Sequence, residues 1–450
     1  MNTQRQSTLA CLLAAALVAA CLLTSLCAAG GLTWWMATRS TPPYPHTPTL
    51  PRPHTTTPAP TPSPTPDNEA TARHLRIFTE LWEIVHDEYL YPDYNGADWE
   101  GIGQEYRARV EAGLDDEAFW AAMDEMLAAL NDEHSIFLSP AEATEEEEKR
   151  AGELDYVGIG VYTAALPPQN GNRGYSVVLL VLPDSPAARA GLRSHDRILA
   201  VDGRPACCDA AGNDYLHRLL GPEGSTVELR VQTPSESPRV VTVTRARIQG
   251  PLPVETRRLE GNVGYILIAT LWDETVVERV RRALEELAGE GELAGLILDL
   301  RINSGGSAVA LQGLLALFGD GELGHFVGRR GEEPLRVKGV DAGGSQRVPL
   351  VILVGTETAS FAEIFSGALQ EAGRARIVGR TTTGNVETVY GYDFEDGSRA
   401  WIAQETFRPP SGTDWEETGI IPDVEIELDW DEFTLEEDPQ LEAALALLSE

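Results

Sequence analysis

The chain has 450 residues, 42% of them hydrophobic and 23% charged, enough for two or three domains with apolar cores of their own. A formal net charge of −35, from 70 acidic against 35 basic residues, excludes a nucleic-acid-binding protein, which needs a basic footprint. Apart from the run 145–148 the acidity is dispersed, so it reads as a solvated surface.

Residues 9–36 are almost wholly apolar and long enough to span a bilayer. Residues 1–39 are therefore expected to form a membrane anchor or signal segment, and the apolar run outlasts the usual core of a cleaved signal. Trp34-Trp35 suits a membrane interface and favours a retained anchor. Val18-Ala19-Ala20-Cys21 has the form of a bacterial lipoprotein cleavage box, so lipidation at Cys21 is one alternative and secretion another. Residues 40–66 are a Pro/Thr tract that cannot bury a core and read as an extended spacer. Of the five cysteines, Cys11, Cys21 and Cys27 fall in the first segment and Cys207-Cys208 are adjacent, which gives no disulfide framework. No Cys/His cluster has ligand spacing, so no metal is expected.

Residues 67–150 read as helices. Leu75, Phe78, Leu81, Trp82, Val85 and Tyr89 form one apolar stripe, and Phe119, Trp120, Met123, Met126, Leu127 and Leu130 a second; both are core stripes. The second ends in Leu130-Asn131-Asp132-Glu133-His134-Ser135. Residues 151–248 read at their plainest as a small β domain with glycine turns. Within them lie Tyr156-Val157-Gly158-Ile159-Gly160-Val161 and the runs 185–192 and 196–203. Glycines there let loop amides face a peptide's terminal carboxylate, and an edge strand accepts the peptide as an added strand.

In residues 249–450, the stretches 264–268 and 295–301 read as buried strands around a helix at 274–287. Arg301-Ile302-Asn303-Ser304-Gly305-Gly306 makes a glycine turn before a helix at 309–318. The apolar run 351–354 is another buried strand, and Ala359-Ser360-Phe361-Ala362-Glu363 opens a helix reaching about residue 371. A strand at 375–379 then leads into a Thr/Gly turn, followed by strands at 389–394 and 398–405. Ser360-x-x-Glu363 alone is a capping box that needs no chemistry. The same strand–turn–helix geometry can also expose a serine hydroxyl to helix amides.

In order, over most of residues 67–424, these stretches resemble the C-terminal processing peptidases, or tail-specific proteases, with the tricorn core protease as a relative. The resemblance rests on the strand 351–354, the turn 356–360, Glu363-Ile364, Gln370-Glu371-Ala372-Gly373-Arg374-Ala375 and Val378-Gly379 to Gly384. It also rests on Asp299-Leu300-Arg301-Ile302-Asn303-Ser304-Gly305-Gly306, on the segment ending in His134-Ser135, and on Gly419-Ile420-Ile421-Pro422-Asp423. It implies an α/β (α+β) fold: a crotonase/Clp-protease-like catalytic core at 249–450, an inserted PDZ domain at 151–248 and an N-terminal helical region at 67–150. The activity implied is that of a serine endopeptidase working through an acyl-enzyme, with no cofactor, on polypeptides in the cell envelope. Val157, Gly158, Ile159 and Gly160 are implied to capture substrate C-termini, Ser360 to be the nucleophile, and Gly305, Gly306 and Phe361 to form the oxyanion hole. Homo-oligomerisation stays open.

One departure bears on mechanism. Where these peptidases carry a lysine base after Thr-x-Gly, this chain has Asn385, and the supporting glutamine is Val389. The tricorn-like branch uses serine, histidine and glutamate, which the resemblance places on Ser360, His134 and Glu416, with Glu417 the close alternative. Two rivals remain: a PDZ-containing scaffold that binds peptides without cleaving them, and an enzyme using an unexpected base such as Lys338. His325 falls in a loop that matches nothing in the family pattern.

Overall fold

Parallel strands covered on both faces need near-continuous apolar runs, and three stretches supply them. Val263–Ile268, Gly295–Asp299 and Leu350–Val354 are buried at every position and lie side by side in parallel, with Ile266 opposite Leu298 and Leu298 opposite Ile352. Arg376–Gly379 and Val424–Glu425 extend the sheet in parallel on one side, and Val254–Leu259 closes the other as an antiparallel edge. The carboxyl ends of the parallel strands share one edge, so the loops at 300–306, 355–360 and 380–387 open together there. The computed structural model describes residues 68–150, 153–166, 174–207 and 216–449. The expected anchor, Cys21 and the spacer lie outside these residues, and among the described residues no helix is long and apolar enough to cross a membrane.

Helices Val276–Gly289, Ala308–Phe318 and Phe361–Glu371 bury Val280, Leu284, Leu314, Phe318, Ile364 and Phe365 in one cluster with the central sheet. A second cluster joins the sheet to the PDZ-like region and the helix Pro439–Leu447, through Leu179, Leu180, Tyr265, Leu267, Ile297, Val351 and Ala444. In the PDZ-like region Val161–Leu166, Tyr175–Val181, Arg197–Val201, Thr226–Gln232 and Arg239–Thr244 pair in that order, leaving Val161–Leu166 at an edge. Glu153–Gly158 pairs separately with Ala246–Pro251.

Both expected N-terminal stripes are core. Asn68–Glu88 and Asp116–Ala128 pack Phe78, Leu81, Val85, Phe119, Met123 and Met126 together. An intervening helix, Trp99–Glu111, adds Trp99, Tyr106 and Val110 and is capped by the Asp98 side chain accepting from Gly101 N–H. The cluster continues onto Phe394 and onto Ala400, Ile402 and Ala403 of an antiparallel sheet formed by Ile136–Leu138, Gly321–Gly328, Gly331–Val337, Thr388–Asp393 and Arg399–Arg408. Ile136 pairs with Trp401, so the segment carrying His134 is tied to this sheet.

Two sequence expectations need correction. His325 lies in the strand Gly321–Gly328, opposite Pro334 and Arg408, and not in a loop. Glycines interrupt the alternation of that hairpin, but Leu323 and Leu335 are buried in the core and hold it in place. Cys207 is buried and disulfide-bonded, its partner lying outside the described residues. An odd cysteine count with one adjacent pair suggests no framework, yet a single bond needs none.

The stretch after Val424–Glu425 fastens the PDZ-like region to the core. Trp430 Nε1–H donates to the Val178 carbonyl at 3.1 Å, Tyr175 O–H donates to Asp431 at 2.7 Å, and Arg197 pairs with Asp431. His195 stacks on Trp430 with ring centroids 4.0 Å apart. On the core side the buried Arg301 guanidinium lies 4.9 Å from the Trp430 ring and pairs with Asp299 and Asp438.

Candidate active site

Strand Leu350–Val354 runs into a turn stitched to the neighbouring loop. Thr358 Oγ1 donates to the Leu300 carbonyl at 2.8 Å, and Ala359 N–H donates to the Asn303 carbonyl at 3.1 Å. The next residue, Ser360, has φ +56° and ψ −129°, a region that side-chain-bearing residues avoid at a cost of about 1–3 kcal/mol. Such a sharp turn opening the helix Phe361–Glu371 presents the serine at the helix N-terminus.

Glu363 does more than complete a cap. Its fully buried carboxylate accepts from Ser360 N–H at 3.0 Å, Gly384 N–H at 2.7 Å, Asn385 N–H at 2.9 Å and the Thr382 hydroxyl. Burial pushes this carboxyl above its ordinary range, while those hydrogen bonds pull it back. Ser360 N–H also donates to the Asn385 carbonyl at 2.8 Å, so the position without a lysine lies against the serine backbone.

The glycine loop comes as close as its composition permits. A Cβ on Gly305 would lie 2.7 Å from Ser360 Cβ, and one on Gly306 would lie 2.0 Å from the Leu271 carbonyl carbon. Their φ values of +93° and +153° also favour glycine. Gly305 N–H donates to Asn303 Oδ1 at 2.9 Å and is therefore committed. Gly306 and Phe361 N–H have no acceptor among the described residues, so these two are the amides left to meet an oxyanion.

His134 reaches this edge from the N-terminal region. Asp132 Oδ1 accepts from His134 N–H at 2.8 Å and Ser135 N–H at 2.6 Å, fixing the turn before strand Ile136–Leu138. His134 Nε2 lies 3.2 Å from Glu416 Oε1, and Glu416 Oε2 accepts from Val386 N–H at 2.7 Å and Glu387 N–H at 3.2 Å. Glu417, the alternative, is exposed at φ +60° and does not meet the imidazole. Burial pulls the His134 pKa down, but Glu416 and Glu387 outweigh it and hold the imidazole above its ordinary value.

Ser360 Oγ makes no hydrogen bond to His134. The two are linked through consecutive residues, Ser360 N–H to the Asn385 carbonyl and Val386 N–H to Glu416. Catalytic hydrogen bonds are often long without substrate and tighten when it binds. Lys338 is exposed.

Sequence reasoning missed Glu387 and Tyr91. Glu387 Oε2 lies 3.7 Å from His134 Nε2, its Oε1 accepts from the Tyr91 hydroxyl, and burial pushes its carboxyl up to about 7. Tyr91 and Glu387 are 296 positions apart and neither sits in a patterned motif, so no local signal could have joined them. Ligand spacing along the chain carries no signal for the same reason, because His134, Glu387 and Glu416 meet only in the fold.

In the PDZ-like region Val157 and Gly158 belong to the strand Glu153–Gly158, and Ile159-Gly160 form the turn after it. Gly160 has φ +82°, and a Cβ there would lie 2.4 Å from Ser185 Cβ. Ile159 and Gly160 N–H have no acceptor among the described residues, and the edge strand Val161–Leu166 follows them. Next to the glycine turn, a cleft of about 490 Å³ is lined by residues that include Trp272, Glu274, Ser307, Tyr390, Arg399 and Trp401.

Comparison with known proteins gives three matches to family models: Peptidase family S41 over residues 262–426, a PDZ domain over 177–233 and the tricorn protease C1 domain over 71–128. The chain is 30% identical over 385 residues to the carboxyl-terminal-processing protease of Synechocystis sp., covering 83% of this chain and 86% of the relative. It is 31% identical to carboxyl-terminal-processing peptidase 2, chloroplastic, of Arabidopsis thaliana, covering 77% and 68%. The solved structure of the photosystem II D1 C-terminal processing protease superposes with a TM-score of 0.57 at 26% identity, covering 79% of this chain and 93% of that one.

Proposed function

Since the chain belongs to Peptidase family S41, the carboxyl-terminal-processing serine peptidases with a PDZ domain, we propose that it cleaves polypeptides with Ser360, His134 and Glu416 in place of a serine–lysine pair. Ser360 Oγ attacks the scissile carbonyl while His134 takes its proton, and His134 then returns it to the leaving amine. With Nε2 facing Glu416, Nδ1 is the nitrogen that serves the serine. Glu416 orients the ring and stabilises the imidazolium as it forms. Gly306 and Phe361 N–H donate to the developing oxyanion, and water hydrolyses the acyl-enzyme with His134 again as base.

The observation that carries this reading is the 3.2 Å contact between His134 Nε2 and Glu416 Oε1, across 282 positions, in a chain with asparagine at the lysine position. The PDZ-like region would hold a substrate's terminal carboxylate on Ile159 and Gly160 N–H and pair its backbone with Val161–Leu166. The apolar run 9–36 in the sequence supports a location at the cell envelope.

Cleavage of an unfolded polypeptide by wild type, Ser360→Ala, His134→Ala and Asn385→Lys tests the assignment. Both alanine variants are expected to lose cleavage by about 10⁴-fold or more, since members of a triad act as a unit. Activity surviving in His134→Ala would retire that base. A silent wild type with activity only in Asn385→Lys would mark a peptide-binding scaffold, the reading favoured by the lack of a direct Ser360–His134 hydrogen bond.

A further inference from the structure

His134 Nε2, Glu387 Oε2 and Glu416 Oε1 lie within 4.8 Å of one another, with the nitrogen 3.2 Å from the Glu416 oxygen and 3.7 Å from the Glu387 oxygen. Ligands placed tetrahedrally at about 2.0–2.2 Å from Zn²⁺ stand roughly 3.3–3.5 Å apart, so His134 Nε2 already stands close to ligand spacing from both carboxylate oxygens. The other half of each carboxylate is already fixed. Glu416 Oε2 is held by the Val386 and Glu387 amides, Glu387 Oε1 by the Tyr91 hydroxyl, and the His134 backbone by Asp132. Outer partners of this kind aim ligand atoms at a metal and are as much a part of a metal centre as the ligands.

Glu387 Oε2 supplies the second, independent observation. Its side chain is 3% exposed, and this oxygen is buried with no hydrogen-bond partner among the described residues. An unpaired acceptor in such a place is unfavourable, and a cation beside it would remove the cost. One imidazole and two carboxylates make a three-ligand set that leaves a fourth position open, and its nitrogen donor suits Zn²⁺, whereas Ca²⁺ and Mg²⁺ take oxygen ligands and water.

We propose that His134, Glu387 and Glu416 bind Zn²⁺ and that its occupancy switches the peptidase off. The inhibition rests on His134 being the base. A neutral imidazole bonded to zinc through Nε2 carries its proton on Nδ1 and has no lone pair left for the serine proton. Glu416, drawn to the metal, also ceases to stabilise an imidazolium.

The test is to titrate Zn²⁺ into metal-stripped full-length protein, reading heat of binding and, separately, cleavage of an unfolded polypeptide. Wild type and Ser360→Ala are expected to bind one Zn²⁺ per chain. Glu387→Gln, which keeps the shape and removes the anionic oxygen, is expected to bind at least ten-fold more weakly. Tyr91→Phe, which frees Glu387 Oε1, should weaken binding by about 10- to 100-fold. Wild-type cleavage should fall over the same Zn²⁺ range and return with chelator. Absence of Zn²⁺ binding by wild type, or undiminished binding by both Glu387→Gln and Tyr91→Phe, overturns the site. Binding without inhibition overturns the switch. A metal-free wild type that does not cleave, or a His134→Ala that does, instead refutes the serine–histidine reading and leaves the binding result standing.

Discussion

Glu363 shows what one side chain does at this edge. Its buried carboxylate gathers four donors from two different stretches, the serine turn and the loop carrying Thr382, Gly384 and Asn385. Removing it leaves the Thr382, Gly384 and Asn385 donors unpaired in a dry place, each worth about 1–3 kcal/mol, while Ser360 N–H keeps the Asn385 carbonyl. Glu363→Ala is expected to lower unfolding free energy by about 3 kcal/mol or more in a urea titration. Glu363→Gln should cost nearly as much, because its amide brings a second donor against backbone N–H groups. A loss no larger than that of a surface substitution would show that water takes the carboxylate's place. Ser360 and Glu363 were legible in the sequence because they sit three residues apart on one helix start. Their role as a clasp between loops was not, since Gly384 and Asn385 come from the other side of a strand.

At the scale of elements, the legible pieces were those with a strong period or an unbroken apolar run. The three central strands and the helices packed on them follow from such runs. The hairpin Gly321–Gly328 with Gly331–Val337 did not, because glycines and a register shift blur its alternation and only tertiary packing fixes it. The edge strand Val161–Leu166 leads to a prediction of its own. With two free amides just before it, it should discriminate a free C-terminus from a blocked one. Amidating the C-terminus of a long substrate is expected to raise KM by about ten-fold, the loss of a charge-assisted hydrogen bond, with kcat little changed. Equal KM values would assign capture to another surface.

Across the whole molecule, the joint around Trp430 makes stability depend on acid. His195 Nδ1–H donates to the Trp430 carbonyl, while Nε2 is buried with no partner among the described residues. Burial therefore pushes the pKa down to about 4, with Arg301 lowering it further and Asp438 and Asp299 opposing. The folded chain keeps this imidazole neutral, whereas the unfolded chain takes up a proton below about pH 6.5. Stability is thus fully present above about pH 6.5 and falls as pH drops toward 4, by about 3 kcal/mol from this group. Denaturation midpoints measured across that window should decline in wild type and flatten in His195→Gln. An unchanged slope would mean that other groups set the acid limit.

The parts that complete the candidate site are also ordered in time. Synthesis delivers His134 first, then the PDZ-like region, the glycine turn and Ser360, and only later Glu416 and the Trp430 joint. A nascent chain that has made Ser360 therefore still lacks Glu416, the proposed orienter of the base, and the Trp430 fastening of the PDZ-like region. On the proposed mechanism, a chain still being synthesised lacks a complete site while its own sequence is unfolded.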